Sequence, residues 1–161
     1  MITVHIWNSN ISSGVWGHAS MSLEHTYVSW WPSGLHREHN KVISKIYRAG
    51  PIRNQTFADD VAGENGLRPD HNIRIQCLDE RAIKDWWFRF ALLKDGMVFQ
   101  GPLQDSWETL SKNCSTVVAK GLTTGGGDKL APKDASNLIW TPNNVLRYAQ
   151  AIQRAAPGVP R

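Results

Sequence analysis

Only two cysteines, Cys77 and Cys114, occur in the 161 residues. That is too few for a disulfide framework, and their settings differ enough that both are expected as reduced thiols. Long apolar runs are missing too. The longest, Trp86 to Leu93, is short and holds Arg89, which excludes a membrane span. The first residues, Met1 to Trp7, have neither a basic stretch nor a long apolar core, so no secretory signal is visible. The expectation is a protein cytoplasmic as made, with any export by a signal-less route. Although the net charge is +4, no run of five or more like charges occurs. This leaves a weak preference for anionic partners, such as weak association with an anionic membrane surface. It argues against nucleic acid, which calls for a dense basic stripe interleaved with stacking aromatics.

Several catalytic signatures are absent. No Gly-x-Ser-x-Gly elbow supports a serine triad. Gly125-Gly126-Gly127-Asp128-Lys129 lacks the Gly-Lys-Ser/Thr ending of a phosphate loop and follows no strand pattern. His36 and His39 are close in sequence, but no Cys or carboxylate cluster completes a zinc set. No metal and no cofactor is expected.

What is present is the composition of one globular domain, 41% hydrophobic and 20% charged, long enough to bury a core without cross-links. A single domain over 1–161 is expected, with 33–70 and 122–139 as long loops. Ile2, Val4 and Ile6 alternate with Thr3, His5 and Trp7, as in a half-buried strand. A second alternation puts Gly17, Ala19, Met21 and Leu23 on one face and Trp16, His18, Ser20 and Ser22 on the other. Tyr27 to Trp31 forms a hairpin with it, stopped by Pro32. Ile73, Ile75 and Cys77 mark a third strand. Asp79 is the N-cap of an amphipathic helix over roughly Glu80 to Asp95, carrying Ile83, Trp86, Trp87, Phe90 and Leu93. A further helix starts at or just before Cys114 and ends at Gly121. Thr141-Pro142 opens the last one.

Chemistry concentrates on Cys114. A thiol at a helix N-terminus is favoured as thiolate by the partial positive charge and the unpaired N–H groups there. The same groups, in the turn formed by Asn113, Cys114 and Ser115, can hold an oxyanion. His18, on the polar face of a strand and beside Gly17, is the best of the six histidines for the base. The plainer alternatives are a packed cysteine one turn before Val117 and a surface strand histidine. His5, His25 and His71 are read as the latter, and Cys77 as a small core residue.

Three segments together resemble a known arrangement: Gly17-His18-Ala19-Ser20-Met21, Tyr27-Val28-Ser29-Trp30-Trp31-Pro32 and Asn113-Cys114-Ser115-Thr116-Val117-Val118. They are similar to circularly permuted papain-like domains, which include permuted members of the NlpC/P60 superfamily and lecithin:retinol acyltransferase-like proteins. In these the histidine strand precedes the nucleophile helix. The resemblance is closest to the Rho-inactivation domain of large bacterial toxins and related effectors, associated with fatty-acyl transfer to lysines of host GTPases. It implies an α+β fold with a small antiparallel sheet and packed helices. It also implies a thiol hydrolase or acyltransferase acting on an acyl or peptide substrate, with a host protein among its targets. For the third polar residue that orients the imidazole, Ser29 lies nearest the expected place. A one-residue register slip would substitute Trp30 or His25. Of a different class is a non-catalytic binding module that uses Trp16, Trp30 and Trp31 to hold a lipid, sugar or protein.

Overall fold

The alternating segments pair as their patterns require. The computed structural model describes residues 1–10, 12, 16–31, 55–90 and 112–156, with the backbone of 46–47, 93–94, 97–98 and 107–108. In chain order the elements are β1 (Ile2–Trp7), β2 (His18–Leu23), β3 (Thr26–Val28), β4 (Ile46–Tyr47), α1 (Phe57–Gly63), β5 (His71–Ile75), α2 (Glu80–Phe90), β6 (Leu93–Lys94), β7 (Met97–Val98), β8 (Trp107–Glu108), α3 (Cys114–Thr124), α4 (Gly127–Leu130) and α5 (Pro142–Ala155). Four strands form an antiparallel sheet in the order β3-β2-β1-β5, and β4–β8 and β6–β7 are separate two-stranded pairs. The fold is α+β, as expected.

Register sorts the side chains onto two faces. Ile2 opposes Leu23 and Ile75, Val4 opposes Met21 and Ile73, and Ile6 opposes Ala19. This apolar face is covered by α2, α3 and α5, whose Ile83, Val118, Leu122, Val145, Ala149 and Ile152 complete a buried core. α3 packs on β2, and α5 on β5 and β1. The other face carries His5, His18, Ser20 and Ser22, and against it lies α1, with Phe57 4.9 Å from the His5 ring and Asp60 bonded to His18. Both faces are therefore covered. His5 is accordingly a buried polar residue rather than a surface one: its ring nitrogens lie 2.6 Å from Asn72 Oδ1 and 2.6 Å from Ser22 Oγ.

Local sequence explains where other expectations shift. The span 33–70, expected to be a long loop, contains β4 and α1. Helix α1 is started by a capping box in which Thr56 Oγ1 accepts from Asp59 N and Asp59 Oδ2 accepts from Thr56 N. The span 122–139 is likewise not all loop, because α3 runs on to Thr124 and α4 follows. Helix α2 ends at Phe90 rather than Asp95, since Leu93–Lys94 pairs with Met97–Val98. Strand β5 stops at Ile75, so Cys77 lies beyond it, half-buried against the core. Among the described residues no helix is long and apolar enough to cross a membrane.

Candidate functional site

His18 opens β2 immediately after Gly17, whose φ of +66° places it in the left-handed region. A Cβ at Gly17 would lie 2.3 Å from the carbonyl oxygen of Trp7, so only glycine lets β2 begin this close to the end of β1. The imidazole that follows is 1% exposed. Its Nε2 is 3.0 Å from Asp60 Oδ2 and 3.0 Å from Ser29 Oγ. Ser29 donates its own proton to Asp60 Oδ1 at 2.8 Å, which leaves its oxygen facing Nε2 as an acceptor.

Asp60 is the hub of the cluster. It sits in the first turn of α1, fully buried. Besides His18 and Ser29, it accepts from Tyr27 Oη at 2.6 Å, Trp31 Nε1 at 2.7 Å and Gln55 Nε2 at 2.9 Å. Burial alone would raise its pKa, but the charge of His18 and the donated hydrogen bonds win and hold the carboxyl well below the usual carboxylate range. The same contest runs the other way at His18. Desolvation would lower its pKa, yet Asp60 and Cys114 together raise it well above the ordinary histidine value. Burial, then the neighbouring Asp60 charge, pushes the Tyr27 phenol up, so it stays a donor. His18 and Asp60 thus each favour the charged form of the other.

Cys114 begins α3. The Asn113 side chain caps this helix, accepting from Thr116 N at 2.9 Å and donating to the Trp140 carbonyl at 3.0 Å. The thiol is 7% exposed, with Sγ 3.9 Å from Ser115 Oγ. Its proximity adds to the upward push on the His18 pKa. The fold thus brings His18 and Asp60, 42 positions apart in sequence, into direct contact, and sets Cys114 near enough to bear on the same imidazole.

The remaining expected residues fall as follows. Ser29 touches both His18 and Asp60. The Asn113 backbone N–H goes to Thr116 Oγ1, so the N–H groups not taken up by the cap are those of Cys114 and Ser115. Trp31 is buried, stacked on His18. Trp30 is buried in the core, edge-on to Phe90, and among the described residues its indole N–H has no hydrogen-bond partner. Trp16 is half-buried beside Gly17. Neither Trp30 nor Trp31 offers an open ring face, because each ring is packed against a neighbouring aromatic ring. Asp60 was not foreseen. Its one sequence signal is the capping box Thr56-Phe57-Ala58-Asp59, which announces a helix where a loop was read. Among the described residues no group of three or more His, Cys, Asp and Glu is placed to hold a metal ion. His36 and His39 lie outside the described residues.

Fold and site together define an α+β domain in which His18, at the start of β2, is bonded to Asp60 of α1, with Cys114 at the start of α3 acting on the same imidazole. The chain belongs to the IcsB middle domain family, whose model matches residues 51–158 and so includes Asp60 and Cys114. It is also 34% identical over 129 residues, 77% of this chain, to a multifunctional-autoprocessing repeats-in-toxin protein of Vibrio cholerae serotype O1. A protein of the same description from Vibrio vulnificus is 34% identical over 88 residues, 52% of this chain. The chain spans about 2% of the length of these curated relatives. No solved structure matches it.

Proposed function

We propose that this domain is a thiol enzyme within a bacterial toxin or effector, performing acyl chemistry through Cys114 in a permuted papain-like arrangement. The observation that carries this is the buried His18, bonded to Asp60 through Nε2 and coupled to Cys114. With Nε2 committed to Asp60 and Ser29, Nδ1 is the nitrogen left for the thiol. His18 holds the proton of Cys114 as an imidazolium, and the thiolate so formed attacks an amide, ester or thioester carbonyl. The N–H groups of Cys114 and Ser115 then receive the oxyanion. As the tetrahedral intermediate collapses, His18 returns the proton to the leaving group, and a thioester at Cys114 remains. Water resolves it in a hydrolase, and an amine of a host protein resolves it in an acyltransferase. The residues named supply every proton and electron pair, and no cofactor enters the steps. Asp60 takes the orienting role, with Ser29 beside it. Of the tryptophans, Trp16, half-buried beside Gly17, is the one placed to meet a substrate, since Trp30 and Trp31 are buried.

Relatives described as repeats-in-toxin proteins support the toxin or effector setting. The competing idea of a tryptophan-rich binding surface is weakened by the burial of Trp30 and Trp31. Incubation with acyl-coenzyme A or an activated-ester probe, followed by peptide mass spectrometry, tests the proposal. An acyl adduct on Cys114, lost in His18→Ala, is expected. Adducts spread over surface lysines and unchanged in His18→Ala would refute it.

A further inference from the structure

Trp31 does more than fill space beside His18. Its ring lies on the imidazole with centroids 4.3 Å apart and planes 19° from parallel. Its indole N–H donates to Asp60 Oδ1 at 2.7 Å. At the edge of its six-membered ring the backbone of α1 comes so near that a Cβ at Gly63 would stand 3.0 Å from Cζ2 and 3.1 Å from Cη2. A single side chain therefore touches both members of the ion pair and is confined by the helix that carries one of them.

We propose that Trp31 is a positioning residue for the His18–Asp60 pair: its indole face holds the imidazolium, and its N–H fixes the carboxylate that orients it. The face of an aromatic ring is electron-rich, so a stacked imidazolium is attracted more strongly than a neutral imidazole, and the difference grows when water is excluded. Both rings are buried, at 1% exposure for His18 and 5% for Trp31. The use of this device in catalysis rests on the thiol-enzyme proposal, whereas its effect on His18 does not. Other groups also bear on the imidazolium. Asp60, Glu64 at the end of α1, and Cys114 from α3 favour it, while His5 of β1 opposes it when charged. A test must therefore alter the ring while leaving these in place.

The measurement is an NMR titration of His18 in the full chain, with three changes at position 31. Trp31→Leu, which removes the face and the donor, is expected to move the His18 titration down by about one pH unit. Trp31→Phe, which keeps a face and loses the N–H, is expected to recover most of that shift. Fluorinated tryptophans at this position preserve shape and donor while draining the ring's electrons, and the titration should fall stepwise with fluorination even if Trp31→Leu fails to fold. A His18 titration indifferent to fluorination overturns the proposal, as does a Trp31→Phe shift as large as that of Trp31→Leu. The adduct experiment on Cys114 is a separate readout: a stepwise fluorination effect without Cys114 acylation would leave Trp31's role standing and remove the enzyme proposal alone.

Discussion

Replacing Asp60 with Asn removes one charge and almost no volume, yet it should be among the most damaging conservative changes in the chain. Oδ1 accepts from Ser29, Trp31 and Gln55, and Oδ2 from His18 and Tyr27. An asparagine must put its NH2 at one of these positions, where two or three donors already point. Each buried donor left without an acceptor costs about 1–3 kcal/mol. Removing one partner of a buried ion pair costs about 3–5 kcal/mol as a whole. The two routes agree, so Asp60→Asn is expected to lose about 3–5 kcal/mol in urea unfolding, and roughly 10 °C of Tm for a domain of this size. His18→Gln in the same background should add much less than it costs alone, because its partner is already gone. A loss below about 1 kcal/mol, or strict additivity of the two changes, would refute the placement of Asp60 as the hub.

The same pair sets a pH dependence, read as the stability difference between wild type and Asp60→Asn. His18 is raised from 6.5, so its contribution is complete below that value and is lost as pH rises through the elevated folded value. Asp60 is depressed from 3.8, so its contribution is complete above that value and is lost as pH falls through the lower folded value. The difference should be greatest between roughly pH 4 and 6.5 and shrink on both sides. Urea midpoints across pH 3 to 9 check this, and a difference that keeps growing to pH 9 would contradict it. His5, whose pKa is depressed by burial, contributes less toward acid in both proteins, and more so without the Asp60 charge that partly offsets that burial. At Gly17, alanine would meet the Trp7 carbonyl at 2.3 Å in a left-handed backbone. Gly17→Ala should therefore cost at least about 2 kcal/mol, and an unchanged urea midpoint would show that β2 does not depend on this approach.

Much of this architecture was legible because its signals are local. The alternation of Ile2, Val4 and Ile6 and of Ala19, Met21 and Leu23 gave the central pair of strands, and Thr141-Pro142 marked the start of α5 where it is found. Asn113 before Cys114 likewise announced α3. What escaped depends on chain segments meeting in space. Asp60 reaches His18 across 42 positions, carried by a seven-residue helix too short to show an amphipathic period. Because α1 covers the polar face of the sheet, His5 and Trp31 are buried, although nothing near them in sequence reports that cover. Ser29 was named from the family resemblance, as the polar residue nearest the place expected for a third group. Its company with Asp60 could not be, since only the packed helix supplies the carboxylate.

The most direct test is the rate at which each thiol reacts with iodoacetamide between pH 6 and 7, followed by peptide mass spectrometry on wild type and His18→Ala. Cys77 serves as an internal reference, being half-buried against the core. Cys114 should label faster than Cys77 despite its deeper burial, and His18→Ala should abolish that advantage. Slow and equal labelling of both thiols, unaltered by the loss of His18, would contradict a nucleophile at Cys114.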